Sequence, residues 1–558
     1  MSPTDPIRDN HRKVLALARA GALERARAEF LRLGLDRITD DEEILSLDAR
    51  LLKAQALEAT GVERQRLAHQ AAERYGDAYR IAHGSYPGIN RATMMLLAGE
   101  AEDAAKQAQA VLTILPQADA GRGEAAYFRA ATRAEALLLL GRERQALAAL
   151  ADAIALHPTG YEVHAVTLRQ MELILSLQAR PLNLLDPHRP PRVATFVGHL
   201  FSPTAGSADE QRMAQAIADL IAQEHIGTAF GALAAGADIL VAEALVAAGA
   251  DLHVVLPCPT EAFIAHSIQP FGPAWQPRFD RMMAAAKTTR HVLLGDAVPD
   301  AFTTSFAGGV SMGLAALQAD ALATAAVQLA VWDGQSFGMT AADVQRWRTS
   351  GRRTLVVEAP KRAAPARARP EASPTRLQAM LFADIRGFGS LPDGLVDRFL
   401  HTVWHALADA VARLDEPPRL LNSWGDGLFL VFDQVAAAAQ AALALQDRFR
   451  MIDLAAAGLP DQLALRVGGH YGPVHPIEDP FTRKPTVIGS QVVIASRIEP
   501  VTAPGSIYVS EPFACALALT TDGRFRCEQV GEVQPRKSGR TLLLFSLRRP
   551  GSASPATR

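Results

Sequence analysis

The sequence predicts a multidomain protein with a helical repeat-like domain, a doubly wound α/β domain and a C-terminal domain that mixes strands with helices. Residues 10–180 carry apolar residues three and four positions apart, which is the helical period. From Arg192, β-branched runs alternate with helical stretches, as in parallel sheets. We expect domains at residues 1–185, 190–360 and 376–549, a Pro/Ala/Arg-rich linker at 361–375 and a disordered tail at 550–558.

Composition excludes several classes of function. A formal net charge of -2 over 558 residues argues against a nucleic-acid-binding protein, which would carry a basic excess. Three widely spaced cysteines, Cys258, Cys515 and Cys527, indicate a reducing compartment. The polar N-terminus is unlike a signal peptide, and the apolar run Gly313–Trp332 predicts a buried helix followed by a strand. We therefore expect a cytoplasmic protein with neither a nucleic acid nor a membrane as partner.

The helical region contains two similar segments, Ala92–Ala108 and Ala134–Leu150. Each has an apolar helix ending near a glycine (Gly99 or Gly141), then a polar turn and an alanine-rich helix, which is typical of tetratricopeptide-like repeats. Tyr86–Asn90 and the helix after it resemble the TRAF-binding-type helical region of apoptosis-signal-regulating kinases. The resemblance implies only a helical scaffold. Such a scaffold either offers a concave surface to a protein partner or packs only on its own neighbours.

A glycine-rich segment, Gly231–Glu243, leads through a helix to the strand Leu252–Pro257. It resembles Rossmann-like nucleotide-sensing domains of the SLOG type. Backbone N–H groups at such a turn bind phosphate, so a second ligand site is expected at Gly236, Asp238 and Glu243. The alternative is a structural spacer, because Gly and Ala also permit tight helix–sheet packing. Further strands are predicted at His291–Leu294, Val327–Trp332 and Thr354–Glu358.

Two aspartates stand beside glycines in the C-terminal domain. Asp384 lies in L-F-A-D-I-R-G-F-G (Leu381–Gly389), and Asp426 lies in a Gly-Asp-Gly turn within Leu421–Phe432. Carboxylate oxygens are the ligands that hard divalent cations prefer, and two metals there would suit in-line attack on a phosphoryl group. Asp-Gly is also a common turn dipeptide, so either aspartate alone could be a turn residue.

The two aspartates and the motifs after them resemble the catalytic domain of class III nucleotidyl cyclases, which make cyclic AMP or cyclic GMP. The run L-A-L-R-V-G-G-H-Y-G-P-V (Leu463–Val474) is similar to the family's G-I-H-T-G-P-V. The resemblance implies a ferredoxin-like βαββαβ core with a terminal hairpin. It also implies that Asp384, Asp426 and Ile385 bind two Mg²⁺ or Mn²⁺ ions per active site.

Substrate contacts follow from the same resemblance. The turn after the first strand, with Gly387 and Phe388, is expected to contact phosphate through backbone N–H groups. Arg497 matches the family's transition-state arginine, which reaches the α-phosphate from the second subunit. Arg536 stands where the family has a triphosphate-binding lysine, with Lys537 beside it. Because metal and arginine come from different subunits, the implied enzyme is a head-to-tail homodimer.

Three positions leave the reaction open. The family has lysine or glutamate four residues before the second metal aspartate, whereas this chain has Asn422; Thr486 matches the second base-selecting position. Asn422 can donate and accept, so it neither chooses adenine over guanine nor excludes a pyrimidine. ATP is the first choice of substrate, and GTP or a pyrimidine nucleotide stays open. Val493 replaces the asparagine that holds the ribose, although Gln491 or Ser496 could compensate. The leading hypothesis is a nucleotidyl cyclase regulated by its N-terminal domains in intracellular signalling; the alternative is a weak or inactive nucleotide-binding scaffold.

Overall fold

The computed structural model describes residues 6–19, 23–116, 121–200, 207–293, 300–359, 375–520, 523–534 and 541–549. The chain divides into two units. The first is Met1–Pro190 with the short segments 321–323 and 549–558, and the second is Pro191–Asp320 with Thr324–Arg548. The described part of the first unit is helical, and the second unit holds both sheets.

Helices build the described part of the first unit. They are α1 (Pro6–Arg19), α2 (Leu23–Arg32), α3 (Glu42–Glu58), α4 (Gly61–Ala82), α5 (Ser85–Ala98), α6 (Ala101–Ile114), α7 (Glu124–Leu139), α8 (Glu143–Leu156) and α9 (Tyr161–Leu177). A Cβ at Gly88 of α5 would lie 2.8 Å from Val111 of α6, so glycine permits this close approach. The predicted repeat segments are the pairs α5–α6 and α7–α8. Gly99 and Gly141, with φ of 93° and 71°, follow the first helix of each pair.

A six-stranded parallel sheet with order β4-β3-β2-β1-β5-β6 forms the first part of the second unit. Its elements are β1 (Arg192–Gly198), α10 (Ala208–Gln223), β2 (Ile226–Gly231), α11 (Ala237–Ala247), β3 (Asp251–Leu256), α12 (Thr260–Ser267), α13 (Trp275–Ala285), β4 (Thr288–His291), α14 (Ala301–Ala321), β5 (Ala326–Trp332), α15 (Met339–Thr349) and β6 (Thr354–Glu358). The strand order reverses between β1 and β5, which is consistent with a Rossmann-like, doubly wound arrangement.

Two predictions about this sheet have different outcomes. The strand predicted from His291 begins where β4 ends, because β4 is a polar edge strand without an apolar run to mark it; Leu294 lies outside the described residues. The apolar run from Gly313 forms the end of α14 and then β5, as predicted. Among the helices that the structure describes, none combines the length and apolar character needed to cross a bilayer.

A second sheet follows residues 360–374, which include nearly all of the predicted linker and lie outside the described chain. Its elements are β7 (Arg376–Arg386), α16 (Val396–Phe399), a π-helical turn (Leu400–Trp404), α17 (His405–Ala412), β8 (Leu420–Trp424), β9 (Gly427–Phe432), α18 (Val435–Arg450), β10 (Ala464–Glu478), β11 (Pro485–Ile488), α19 (Ser490–Ile498), β12 (Ile507–Ser510), α20 (Glu511–Ala518), β13 (Arg526–Val533) and β14 (Leu542–Arg548). The order β10-β7-β9-β8 and the connecting helices form the expected ferredoxin-like core. The strands β13 and β14 form the terminal hairpin.

The two faces of this sheet differ in what they carry. Alternate residues of β7, namely Leu381, Ala383 and Ile385, are buried in the core with α17, α18 and α20. Met380 and Phe382 face the opposite side, in a smaller cluster with residues of α19. This alternation puts Asp384 on the α19 side of the sheet.

Within the second unit, α14 packs against α20 and β10. Phe306 of α14 meets the ring of Tyr471 on β10 edge to face, with centroids 6.0 Å apart. Arg290 at the end of β4 forms an ion pair with Glu511 of α20 at 3.2 Å. The ring of Tyr471 supplies the apolar surface on which Phe306 rests.

We predict that Gly313→Ala weakens the packing between α14 and α20. A Cβ at Gly313 would lie 2.3 Å from the Cβ and 2.4 Å from the Cα of Cys515, so backbone must move. We expect a loss of about 1–3 kcal/mol in unfolding free energy, measured by thermal or denaturant unfolding of the full chain. Gly309→Ala on the same helix is the control, because its Cβ would meet only the flexible end of Arg346. Equal effects of the two substitutions would contradict the prediction.

Candidate active site

Strand register brings Asp384 and Asp426 together. Antiparallel pairing of β7 with β9 aligns Ala383 with Leu428, so Asp384 comes opposite Gly427. Asp426 is the residue before Gly427, in the two-residue turn between β8 and β9. Residues that are 42 positions apart in the sequence (426 minus 384) are therefore neighbours at one edge of the sheet.

The electrostatics of this pair favour a cation. Burial raises the pKa of Asp426 to about 6, and the nearby Asp384 carboxylate adds to this increase through charge repulsion and a side-chain hydrogen bond. In the described residues, no group of three or more His, Cys, Asp or Glu side chains is arranged as a complete metal site. Mg²⁺ is commonly held by one or two carboxylates together with substrate phosphates and water, so this donor pair fits that ion.

Arg466 and Glu499 belong to the same cluster. Register pairs Arg466 of β10 with Asp384, and its guanidinium lies 2.5 Å from Asp384 Oδ2 and 2.8 Å from Glu499 Oε1. Burial raises the pKa of Glu499 to about 7, while Arg466 opposes this increase and the two aspartates add to it. Among the described residues, Glu499 Oε1 and Arg466 Nε have no hydrogen-bond partner of suitable geometry. The contact between Arg466 and Glu499 is therefore an ion pair and not a hydrogen bond.

These two residues were not among the predicted site residues. The signal for Arg466 was its place two residues before the double glycine in L-A-L-R-V-G-G-H, in a strand where alternate residues share a face. Glu499 carried a weaker signal, its position two residues after Arg497. Neither signal says that Asp384 is their common neighbour.

The turn after β7 has the shape expected of a phosphate contact. Gly387 has φ of 93°, a conformation that favours glycine, and begins a short 3₁₀ turn over Phe388–Ser390. The ring of Phe388 packs against Phe399 with centroids 4.7 Å apart, so the turn rests on the core. The side chain of Ile385 is buried, which leaves only its backbone atoms for a ligand.

Helix α19 carries the predicted arginine. Arg497 lies in its last turn, and in the described chain its guanidinium has neither a hydrogen-bond nor an ion-pair partner. Val493 is 46% exposed on the same helix.

The two side chains expected to compensate for Val493 already have partners. Gln491 is buried and its amide contacts His470 and Ser490, while the Ser496 hydroxyl donates to the carbonyl of Val493. The side chain of Gln491 is therefore already bonded within the domain.

The remaining predicted substrate residues fall into two groups. Asn422 is exposed on β8, opposite Phe429, and Thr486 lies on β11, opposite Ile477 of β10. Arg536 and Lys537 lie outside the described residues. Their role as triphosphate ligands stays a prediction.

The three residues of the predicted second ligand site do not all point to the same place. Gly236, with φ of 102°, precedes α11, and Asp238 in its first turn is buried and accepts from the backbone N–H of Ala234. Burial raises the pKa of Asp238 to about 8. Glu243 instead forms an ion pair with Arg278 of α13, whose Nε donates to Glu243 Oε1 at 2.9 Å. Gly236 and Asp238 are thus adjacent, while the carboxylate of Glu243 is bound to a neighbouring helix.

Two family models match parts of the chain. Residues 371–547 match the model described as Adenylate and Guanylate cyclase catalytic domain. Residues 1–95 match the model described as Tetratricopeptide Repeats-Sensor. The comparison with curated proteins finds no match.

Solved structures of cyclases are similar to about a third of the chain. They include the adenylyl cyclase CyaB from P. aeruginosa, with 20% identity over 32% of this chain and 97% of that chain and a TM-score of 0.28. The guanylyl cyclase Cya2 shows 24% identity over 31% and 92%, with a TM-score of 0.27. The guanylate cyclase domain of RhGC from Catenaria anguillulae, in complex with GTP, shows 17% identity over 31% and 97%, with a TM-score of 0.27.

Proposed function

We propose that this chain, whose residues 371–547 are a cyclase catalytic domain, converts a nucleoside triphosphate to the 3′,5′-cyclic monophosphate and pyrophosphate. The observation that carries the proposal is the pairing of Asp384 with Asp426 on the sheet face that also bears α19 and Arg497. ATP is the proposed substrate. Thr486 supports it, because it is similar to the base-selecting residue of bacterial adenylyl cyclases.

The reaction forms one P–O bond and breaks another. The ribose 3′-oxygen attacks the α-phosphorus of the same nucleotide, the bond to the β-phosphate breaks, and the hydroxyl proton leaves to solvent. Asp384 and Asp426 would hold Mg²⁺ or Mn²⁺, which lowers the pKa of the 3′-hydroxyl and balances the charge of the triphosphate when bound. The backbone of the Gly387 turn orients the phosphates, and Arg497 stabilises the charge that grows on the α-phosphate oxygens.

A second copy of the chain completes the proposed site. The α19 side of the sheet leaves large apolar side chains exposed, including Trp424 (51%) and Val493 (46%), and Ile488 just before the helix is 49% exposed. Trp424 contacts Phe382, which faces α19. Apolar surface next to an unpaired Arg497 fits a two-fold dimer in which each protomer supplies its arginine to the other's aspartates.

Regulation is the proposed role of the regions before the cyclase domain. The match to a tetratricopeptide sensor model at residues 1–95 supports a sensory role for the helical unit, through a protein partner. The α/β domain, which is SLOG-like in sequence, would bind a ligand near Gly236 and Asp238. A cytoplasmic location fits this intracellular signalling role.

A second candidate is a catalytically silent domain that binds nucleotide as a signalling scaffold. Val493 favours it, because valine cannot hold the ribose hydroxyl and because Gln491 is already bonded to His470. Loss of such positioning costs orders of magnitude in rate. Nucleotide binding without turnover would distinguish this function from the cyclase.

Asp384→Asn and Asp426→Asn are each expected to lower kcat at least about a hundredfold, since each removes a carboxylate from the pair that would hold the cations. The assay measures cyclic product from ATP, GTP, CTP and UTP with Mn²⁺ or Mg²⁺. Asp409→Asn is the matched control, because Asp409 is an exposed aspartate on α17. Full activity in either site variant would contradict the assignment of the aspartates.

Mixing two inactive variants tests whether sites are shared. Arg497→Ala and Asp426→Asn chains should each be inactive alone. Equal mixing makes about half of the dimers mixed, each with one intact site, so activity should recover to about a quarter of the wild-type value. No recovery, while size measurements show that mixed dimers form, would contradict a site built from two chains.

Val493→Asn should raise kcat by about tenfold or more if the missing ribose contact limits the reaction. The position is exposed, so the amide needs no buried partner. Val396→Asn, at a valine that is 40% exposed on α16, is the control and should leave kcat unchanged. An unchanged or lower kcat for Val493→Asn would show that this residue does not limit the rate.

A further inference from the structure

We propose that His470 is a positioning residue for the reaction: it holds α19, and with it Arg497, through a buried hydrogen bond to Gln491. The proposal rests on the cyclase function proposed above. His470 lies on β10 and is 2% exposed. Its Nε2 lies 2.8 Å from Gln491 Oε1 and its Nδ1 lies 2.7 Å from Ser510 Oγ. One imidazole therefore joins three elements, the strand β10, the helix α19 and the end of β12.

The direction of these hydrogen bonds follows from the chemistry of a neutral ring. Burial lowers the pKa of His470 to about 4, so the imidazole is uncharged near neutral pH. A neutral imidazole has one N–H donor and one acceptor nitrogen. Because Gln491 presents a carbonyl oxygen, Nε2–H donates to it, and Nδ1 accepts from the hydroxyl of Ser510. Both ring nitrogens are thus satisfied, and neither is free for acid–base chemistry.

Two glycines let β10 and α19 come this close. A Cβ at Gly472 would lie 3.0 Å from Gln491 Oε1 and 3.1 Å from His470 Nε2, within the space of the hydrogen bond. A Cβ at Gly468 would lie 2.4 Å from the backbone nitrogen of Glu499, just after α19. The helix is therefore held against β10 at both ends, by hydrogen bonding at the first turn and by backbone contact after the last.

The hydrogen bond acts on Arg497 through the stiffness of the helix. Gln491 is in the first turn of α19 and Arg497 is six residues later, about 9 Å along the axis at 1.5 Å per residue. A rotation or shift of the first turn therefore moves the guanidinium at the other end. Since the guanidinium of Arg497 has no hydrogen-bond or ion-pair partner among the described residues, the position of α19 determines where this charge lies.

The test compares Gln491→Leu with Ser510→Ala in the full-length chain. Both remove one hydrogen bond from His470, but only the first releases α19. We expect Gln491→Leu to lower kcat about tenfold or more with KM changed less than about twofold, because misplaced catalytic groups slow the chemical step. Ser510→Ala should leave kcat within about twofold. Gly472→Ala, which removes no polar group, should act like Gln491→Leu.

A nitroxide label on Val493→Cys reports the order of α19 without turnover. Gln491→Leu should increase label mobility by electron paramagnetic resonance, whereas Ser510→Ala should not; chains without the added cysteine correct for labelling of the native cysteines. Equal effects of the two substitutions on kcat and mobility, at similar thermal stability, would overturn the proposal and leave His470 a core residue. If label mobility separates the two variants while the unsubstituted chain turns over no nucleotide, the hold of His470 on α19 stands and the proposed cyclase function fails.

Discussion

The antiparallel register of β7 is the constraint on which the candidate site depends. It aligns Asp384 with the turn that carries Asp426 on one side and with Arg466 on the other. A slip of one residue would reverse the faces and move Asp384 into the apolar core of Leu381 and Ile385. Burying a carboxylate there without a partner is costly. The apolar residues on one face of β7 therefore fix which face Asp384 occupies.

The side chains that this register brings together carry more negative than positive charge. Asp384, Asp426 and Glu499 share one guanidinium, that of Arg466, and the pKa values of Asp426 and Glu499 are both raised by burial and by neighbouring carboxylates. Three carboxylates and one arginine are a poor closed network, because buried charges are stable only when paired. In the proposed cyclase, a divalent cation and a triphosphate would bind together at the aspartate pair, so positive and negative charge would arrive together.

Sequence patterns predicted individual helices and strands better than they predicted which residues of distant strands lie side by side. The helix and strand of the run Gly313–Trp332 were predicted from their apolar residues, and the two aspartates were picked out by their neighbouring glycines; both are local signals. The polar edge strand β4 was misplaced because it has no such signal. Arg466 and Gln491 were missed as structural partners because their roles depend on which strands and helices meet across the sheet. Strand register between distant segments is a property of tertiary packing, and no window of sequence contains it.

Val493 limits the side chains of α19 that could hold the ribose in the proposed reaction. Val493 itself is exposed but cannot form a hydrogen bond, so another exposed side chain would have to make that contact. Gln491 is excluded because its amide is buried against His470, and the Ser496 hydroxyl donates to the helix backbone. In the described part of α19, Arg497 is then the one charged group free to reach a nucleotide. Catalysis by the proposed cyclase would then depend on how accurately α19 holds that guanidinium, and therefore on the contact between α19 and β10.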